Sequence, residues 1–141
     1  MDKDQKITIG YLSGTFDLFH IGHLNIIKRA KARCDYLIVG VHETADFKGG
    51  STFIPYRERA EIIRACRYVD KVVKASDEDT DDWEKYHFSK LFVGSDYLGS
   101  ERFERYTEFF KDKDVEIVYL PYTHHTSSTK LRRLIENSIK K

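Results

Sequence analysis

The pattern that most constrains this chain is an alternation of short apolar runs with stretches of helical period. Ile7 to Leu12 reads as a first strand. Ile21 to Arg33 follows, with Leu24, Ile27 and Ala30 three apart on one stripe, as on a helix face. Tyr36 to Val41 is continuously apolar, as a strand covered on both faces requires. His42 to Ile54 reads as a loop, and Pro55 opens a helix running to about Cys66. Lys71 to Lys74 is a short strand. Ser76 to Asp82 is acidic and turn-like, and a short helix after it carries Trp83 and Tyr86. Leu91 to Gly94 is a strand, Glu101 to Lys111 a helix with Phe103, Tyr106 and Phe110 on its stripe, and Val115 to Leu120 the last strand. A final helix starts near Ser128. Five strands alternating with helices predict an α/β, Rossmann-like five-stranded parallel sheet with helices on both faces. Right-handed crossovers leave only Rossmann-like or flavodoxin-like windings. Such sheets bind ligands beyond the carboxyl ends of their strands. The loops after the first, second and fifth strands are therefore expected to carry the site.

The chain length, 141 residues, suits one domain spanning 1–141. Lys plus Arg is 24 against 23 for Asp plus Glu, a net charge of +1. A dedicated nucleic-acid binder would show a basic excess, so no nucleic-acid partner is expected. No run of 18 apolar residues exists, so no membrane insertion is expected. The segment Met1 to Ile7 lacks the apolar core of a signal peptide, and a cytoplasmic location is the expectation. Cys34 and Cys66 have no metal or redox spacing and are expected to be reduced, mostly buried thiols.

Chemistry concentrates after the first strand, in Gly14-Thr-Phe-Asp-Leu-Phe-His-Ile-Gly-His23. His20 and His23 fall on one face of a first helical turn. The N–H groups and dipole of a helix start attract anions. Gly22, between the histidines, lets a phosphate approach the backbone. A phosphate cradle is one reading and a plain capping loop is another. A third is a metal pair, which would need further ligands such as His124 and His125.

This loop closely resembles the HxGH signature of nucleotidyltransferases, in its cytidylyltransferase form. Cys66-Arg67-Tyr68-Val69-Asp70 resembles the RYVD signature of the cytidylyltransferases that act on glycerol-3-phosphate and choline phosphate. Thr126 to Lys130 resembles the end of the family's RTEGIST-type motif. The resemblance runs from about Ile7 to Leu134, with the three motifs in order. It implies an enzyme that joins CTP to an alcohol phosphate, glycerol-3-phosphate first, giving a CDP-alcohol and pyrophosphate by direct in-line transfer. It also implies Mg²⁺ travelling with the triphosphate, a homodimer, and a product for a cell-envelope polymer or phospholipid. An adenylyltransferase of the same superfamily and a non-catalytic nucleotide-binding module are the alternatives.

Residue by residue, the resemblance implies that His20 and His23 contact the triphosphate. Thr15, Phe16 and Gly22 would line the nucleotide pocket. Lys48 would act where the two substrates' phosphates meet, as a catalytic and acceptor-binding residue. Ser127, Ser128 and Thr129 would hold the outer phosphates, a role compatible with capping the last helix. Arg67 would lie near the nucleotide, or simply end its helix in a salt bridge with Asp70. Arg59 is similarly placed, and Asp96 ends the fourth strand where a site residue fits. Trp83 and Lys85 would meet the acceptor, although a core tryptophan explains Trp83 equally well. The chain departs from the family at Gly50, where the glycerol-3-phosphate enzymes carry a second lysine. It departs again at Tyr122-Thr123-His124-His125, which replace Arg-Thr-Glu-Gly. Tyr122 and Thr123 would still face the nucleotide, without the arginine's charge.

Overall fold

The structure is a computed structural model, and it describes residues 6–43, 52–121 and 127–139. Five strands form one parallel sheet: β1 Ile9–Gly14, β2 Tyr36–Val41, β3 Lys71–Lys74, β4 Lys90–Gly94 and β5 Glu116–Leu120. Their order is β3-β2-β1-β4-β5. The chain winds outward from β1 to β3, returns across the sheet, and winds outward again from β4. The switch point lies between β1 and β4, where a Rossmann-like sheet opens a crevice.

The helices are α1 Ile21–Lys31, α2 Tyr56–Arg64, α3 Asp79–Tyr86, α4 Glu101–Phe110 and α5 Ser128–Ile139. Each strand sends alternate side chains to opposite faces, and two cores result. Leu12, Leu37, Val39, Val41, Phe92 and Leu120 pack with Ile27 and Ala30 of α1 and Ile63 of α2. Tyr11, Ile38, Leu91 and Val93 pack on the other face with Phe88 and with Phe103, Tyr106 and Phe110 of α4. Of the apolar stripes read from the sequence, Ile27, Ala30, Phe103, Tyr106 and Phe110 are buried and Leu24 is half-buried. Fully burying an aliphatic side chain of this kind contributes about 1.5–3 kcal/mol.

Several expectations shift at element ends, most at β1 and α3. β1 starts at Ile9 and runs on to Gly14, because Ser13 and Gly14 still pair with Gly40 and Val41 of β2. α3 starts at Asp79, inside the acidic run read as a turn. Asp79, Asp81 and Asp82 form its first turn, where the helix dipole favours negative charge. Cys34 and Cys66 are free, and they are half-buried rather than mostly buried. No helix of the described residues is long and apolar enough to cross a membrane.

Candidate active site

β1 ends in a tight loop that two non-glycine residues make possible. Phe16 and Leu18 take φ of 54° and 55°, the left-handed region that side chains avoid. Such strain persists only where neighbours over-determine it. Here Asp17, between them, is the tie. It is 2% exposed, and its carboxylate accepts from the N–H groups of Phe53 and Ile54 at 2.9 and 3.0 Å. Arg132 of α5 pairs with the same carboxylate at 2.6 Å, and Ser128 Oγ donates to the Asp17 carbonyl at 2.6 Å.

The loop delivers its histidines to the start of α1. His20 is the N-cap, and its Nδ1 accepts from Gly22 N at 3.1 Å. His23 Nδ1 accepts from the His20 N–H at 3.3 Å. The rings stack with centroids 3.9 Å apart, and Phe16 meets His23 edge-on at 5.3 Å. With Nδ1 accepting from Gly22 N, a neutral His20 ring carries its proton on Nε2, so that N–H is the donor it can offer a ligand. Burial lowers the His20 pKa and holds that ring uncharged near neutrality. The capping and phosphate-cradle readings therefore coexist, since one nitrogen caps and the other remains a donor.

Arg59 anchors the backbone behind the loop. It is 1% exposed and donates to the carbonyls of Thr15, His42, Glu43 and Ile54 at 2.6–2.7 Å. Burial lowers its pKa, and the Asp17 charge opposes that. Arg59 thus ties the segments after β1 and β2 to α2 as a positioning residue.

Around these residues lies a cavity of about 560 Å³, within the range of small-molecule sites. Ser13 to Asp17, His20, Gly22 and His23 form one wall. Gly94, Asp96 and Tyr97 after β4 form another, and Ser127, Ser128, Thr129 and Arg132 at the start of α5 a third. Thr15 Oγ1 is the one buried side-chain polar atom among the described residues without a hydrogen-bond partner. Buried polar atoms are seldom left unpaired, and a ligand in the cavity would complete it.

The cavity thus brings together Thr15, Phe16, Gly22, His20, His23, Asp96, Ser127, Ser128 and Thr129. Ser127 Oγ also caps α5, accepting from Lys130 N at 3.0 Å. Lys48, Gly50, Tyr122, Thr123, His124 and His125 lie outside the described residues. Arg67, Trp83 and Lys85 do not line the cavity. Arg67 is exposed beyond the end of α2, donating to Tyr68 Oη at 3.0 Å. Its neighbour Asp70 pairs with Lys31, not Arg67, and accepts from Leu37 N at the amino end of β2. That segment therefore sits at the amino ends of β2 and β3, away from the cavity. Trp83 packs on Phe109 and Phe110 and donates its indole N–H to the Phe88 carbonyl at 3.1 Å. Lys85 donates to Ser76 Oγ at 3.2 Å, beside a separate hollow at the ends of β2 and β3. The walls come from the loops after β1, β4 and β5. The loop after β2 was expected to take part, and only His42 and Glu43 of it are described before 52, both in that separate hollow. Asp17, Tyr97 and Arg132 were missed, although an arginine one turn into a helix opened by three hydroxyl residues is an anion-site signal.

Among the described residues no group of three or more His, Cys, Asp or Glu could hold a metal ion. In the cavity the Asp17 carboxylate is already taken by two N–H groups and Arg132.

The comparisons agree with this geometry. The cytidylyltransferase-like family matches residues 11–134. A glycerol-3-phosphate cytidylyltransferase from Bacillus subtilis is 35% identical over 127 residues, covering 86% of this chain and 92% of that protein. An FAD synthase from Pyrococcus horikoshii is 33% identical over 142 residues, covering 96% and 95%. Among solved structures, a lipopolysaccharide core biosynthesis protein from Thermoplasma volcanium shares the fold, with a TM-score of 0.71 at 17% identity. That match covers 86% of this chain and all of the other. A match over nearly the whole sequence, with the motif histidines set on a helix start at the sheet's switch point, places the chain in the cytidylyltransferase-like family, as a nucleotidyltransferase.

Proposed function

We propose that the protein transfers a cytidylyl group from CTP to glycerol-3-phosphate, giving CDP-glycerol and pyrophosphate. The observation that carries the reading is the pairing of two helix starts across one cavity. α1 offers His20, His23 and the backbone at Gly22. α5 offers Ser127 to Thr129 and Arg132. Both are donor-rich and favour anions. The likeness to glycerol-3-phosphate cytidylyltransferases supports the choice of base and acceptor.

In this reading an oxygen of the acceptor phosphate attacks the α-phosphorus of CTP. A new P–O bond forms as the α–β bridge breaks, and pyrophosphate leaves. The protein's part is positioning and charge stabilisation. His20 and His23 donate to the triphosphate oxygens as charge builds. Arg132 and the α5 start hold the outer phosphates, and the motif resemblance alone assigns Lys48 to the meeting of the two substrates' phosphates. Thr15 Oγ1 gains its partner from the nucleotide. Mg²⁺ enters with the substrate, on the phosphates. A cytoplasmic location and a homodimer belong to the same reading, and sedimentation of the purified protein tests the second.

The FAD synthase relative favours one alternative, transfer of an adenylyl group from ATP to a flavin phosphate. Pyrophosphate release, measured with CTP or ATP against glycerol-3-phosphate, phosphoethanolamine, ribitol-5-phosphate and flavin mononucleotide, separates the two. Release with CTP and glycerol-3-phosphate is the expected result. Release only with ATP and the flavin would replace the proposal, and release with CTP and another acceptor would replace its second half.

A further inference from the structure

Tyr11 and Ser13 project from one face of β1, and each meets a carboxylate from the first turn of α3. Tyr11 Oη donates to Asp82, and Ser13 Oγ donates to Asp79 Oδ1 at 2.7 Å. Ser13 also lines the cavity, whereas Asp79 lies behind it, 7% exposed. The groups around Asp79 are otherwise engaged. Asp82 also accepts from Ser76 N, and Tyr106 of α4 accepts from Asp79 N and donates to Glu78. Arg102 of α4 pairs with Glu78 at 3.8 Å, and Tyr97 follows β4 nearby.

A carboxylate can only accept, so an ionised Asp79 claims the Ser13 hydroxyl proton. The Ser13 oxygen then shows the cavity lone pairs alone. A protonated carboxyl can donate instead, and the hydroxyl proton is then free to turn outward. We propose that Asp79 is a positioning residue that sets whether Ser13 accepts from, or donates to, the bound nucleotide. The proposal rests on the reading that this cavity holds CTP.

The switch falls in a usable range. Burial, chiefly, raises the Asp79 carboxyl to about 6, with the Asp82 charge adding and the Ser13 hydrogen bond opposing. Above that value Ser13 is an acceptor, suited to an amino or hydroxyl group of the nucleotide. Below it Ser13 becomes a donor and that contact is lost.

Calorimetric titration of CTP with Mg²⁺, from pH 5 to 8, tests this on the wild type, Asp79→Asn and Ser13→Ala. The terminal phosphate of the nucleotide titrates in the same window with all three proteins, so the difference between profiles is read. The wild type should bind about threefold to tenfold more tightly above pH 6 than below it, beyond any change in the variants, the worth of one net hydrogen bond. Both variants should lose that step. Parallel profiles in all three proteins would overturn the proposal, as would a step kept by Ser13→Ala. Should Asp79→Asn fail to fold, Ser13→Ala against the wild type decides alone. Absence of CTP binding by the wild type at every pH would overturn the nucleotide reading, and this proposal with it. Binding with parallel profiles would overturn this proposal only.

Discussion

The two nitrogens of His20 divide the work: Nδ1 caps α1, and in the proposed reaction Nε2–H donates to the triphosphate. Burial lowers its pKa, so the ring works as a neutral donor above about pH 6.5, and turnover should not fall through His20 as pH rises from 7 to 8. His20→Ala should cut kcat about a hundredfold, as for the loss of one transition-state donor, with steady-state pyrophosphate release as the measure. Asp17 is the structural counterpart. Asp17→Ala strands two backbone N–H groups and Arg132, and should cost about 3–5 kcal/mol in urea denaturation. The histidines were legible in the sequence because their spacing and the following helix are local facts. Asp17 was not, because Phe53, Ile54 and Arg132 reach it only through the fold. Thr15 was named for its motif position, and the unpaired Oγ1 that supports a ligand there is visible only once the loop is packed.

Arg59 shows how one side chain organises elements. Four carbonyls from the ends of β1 and β2 and the start of α2 converge on its guanidinium. Lysine has fewer donors and no planar fork. Arg59→Lys should therefore raise the KM for CTP several-fold and lower the unfolding free energy by about 2–4 kcal/mol, read by initial rates and by urea denaturation. Strands β2 and β3 match the sequence reading to the residue, since a continuous apolar run defines β2 and a valine pair between lysines defines β3. α3 starts earlier than the sequence suggests, because an acidic run reads as a turn until a helix dipole and two hydroxyls of β1 receive it. The segment around Arg67 was legible as a motif but not as a location. Its place at the amino edge of the sheet follows from where α2 ends.

At the scale of the molecule, Asp79 couples stability to pH. Its folded value of about 6 lies above the ordinary carboxyl value of 3.8, so the native state holds the proton more tightly. The stabilisation is fully present below 3.8 and lost as pH rises through about 6, a loss of about 3 kcal/mol. Against Asp79→Asn, the wild type should therefore grow less stable between pH 4 and 7, as followed by denaturant midpoints at each pH. The sequence by itself determined the α/β class, the two buried faces and the histidine pair, because periodicity and motif spacing act along the chain. Only the tertiary structure decided which loops share the cavity, that Arg132 closes it, and that Trp83 and Arg67 stay away from it. It also decided that a carboxylate of α3 stands behind Ser13. Each of these depends on the sheet order β3-β2-β1-β4-β5, which brings residues far apart in sequence to one edge.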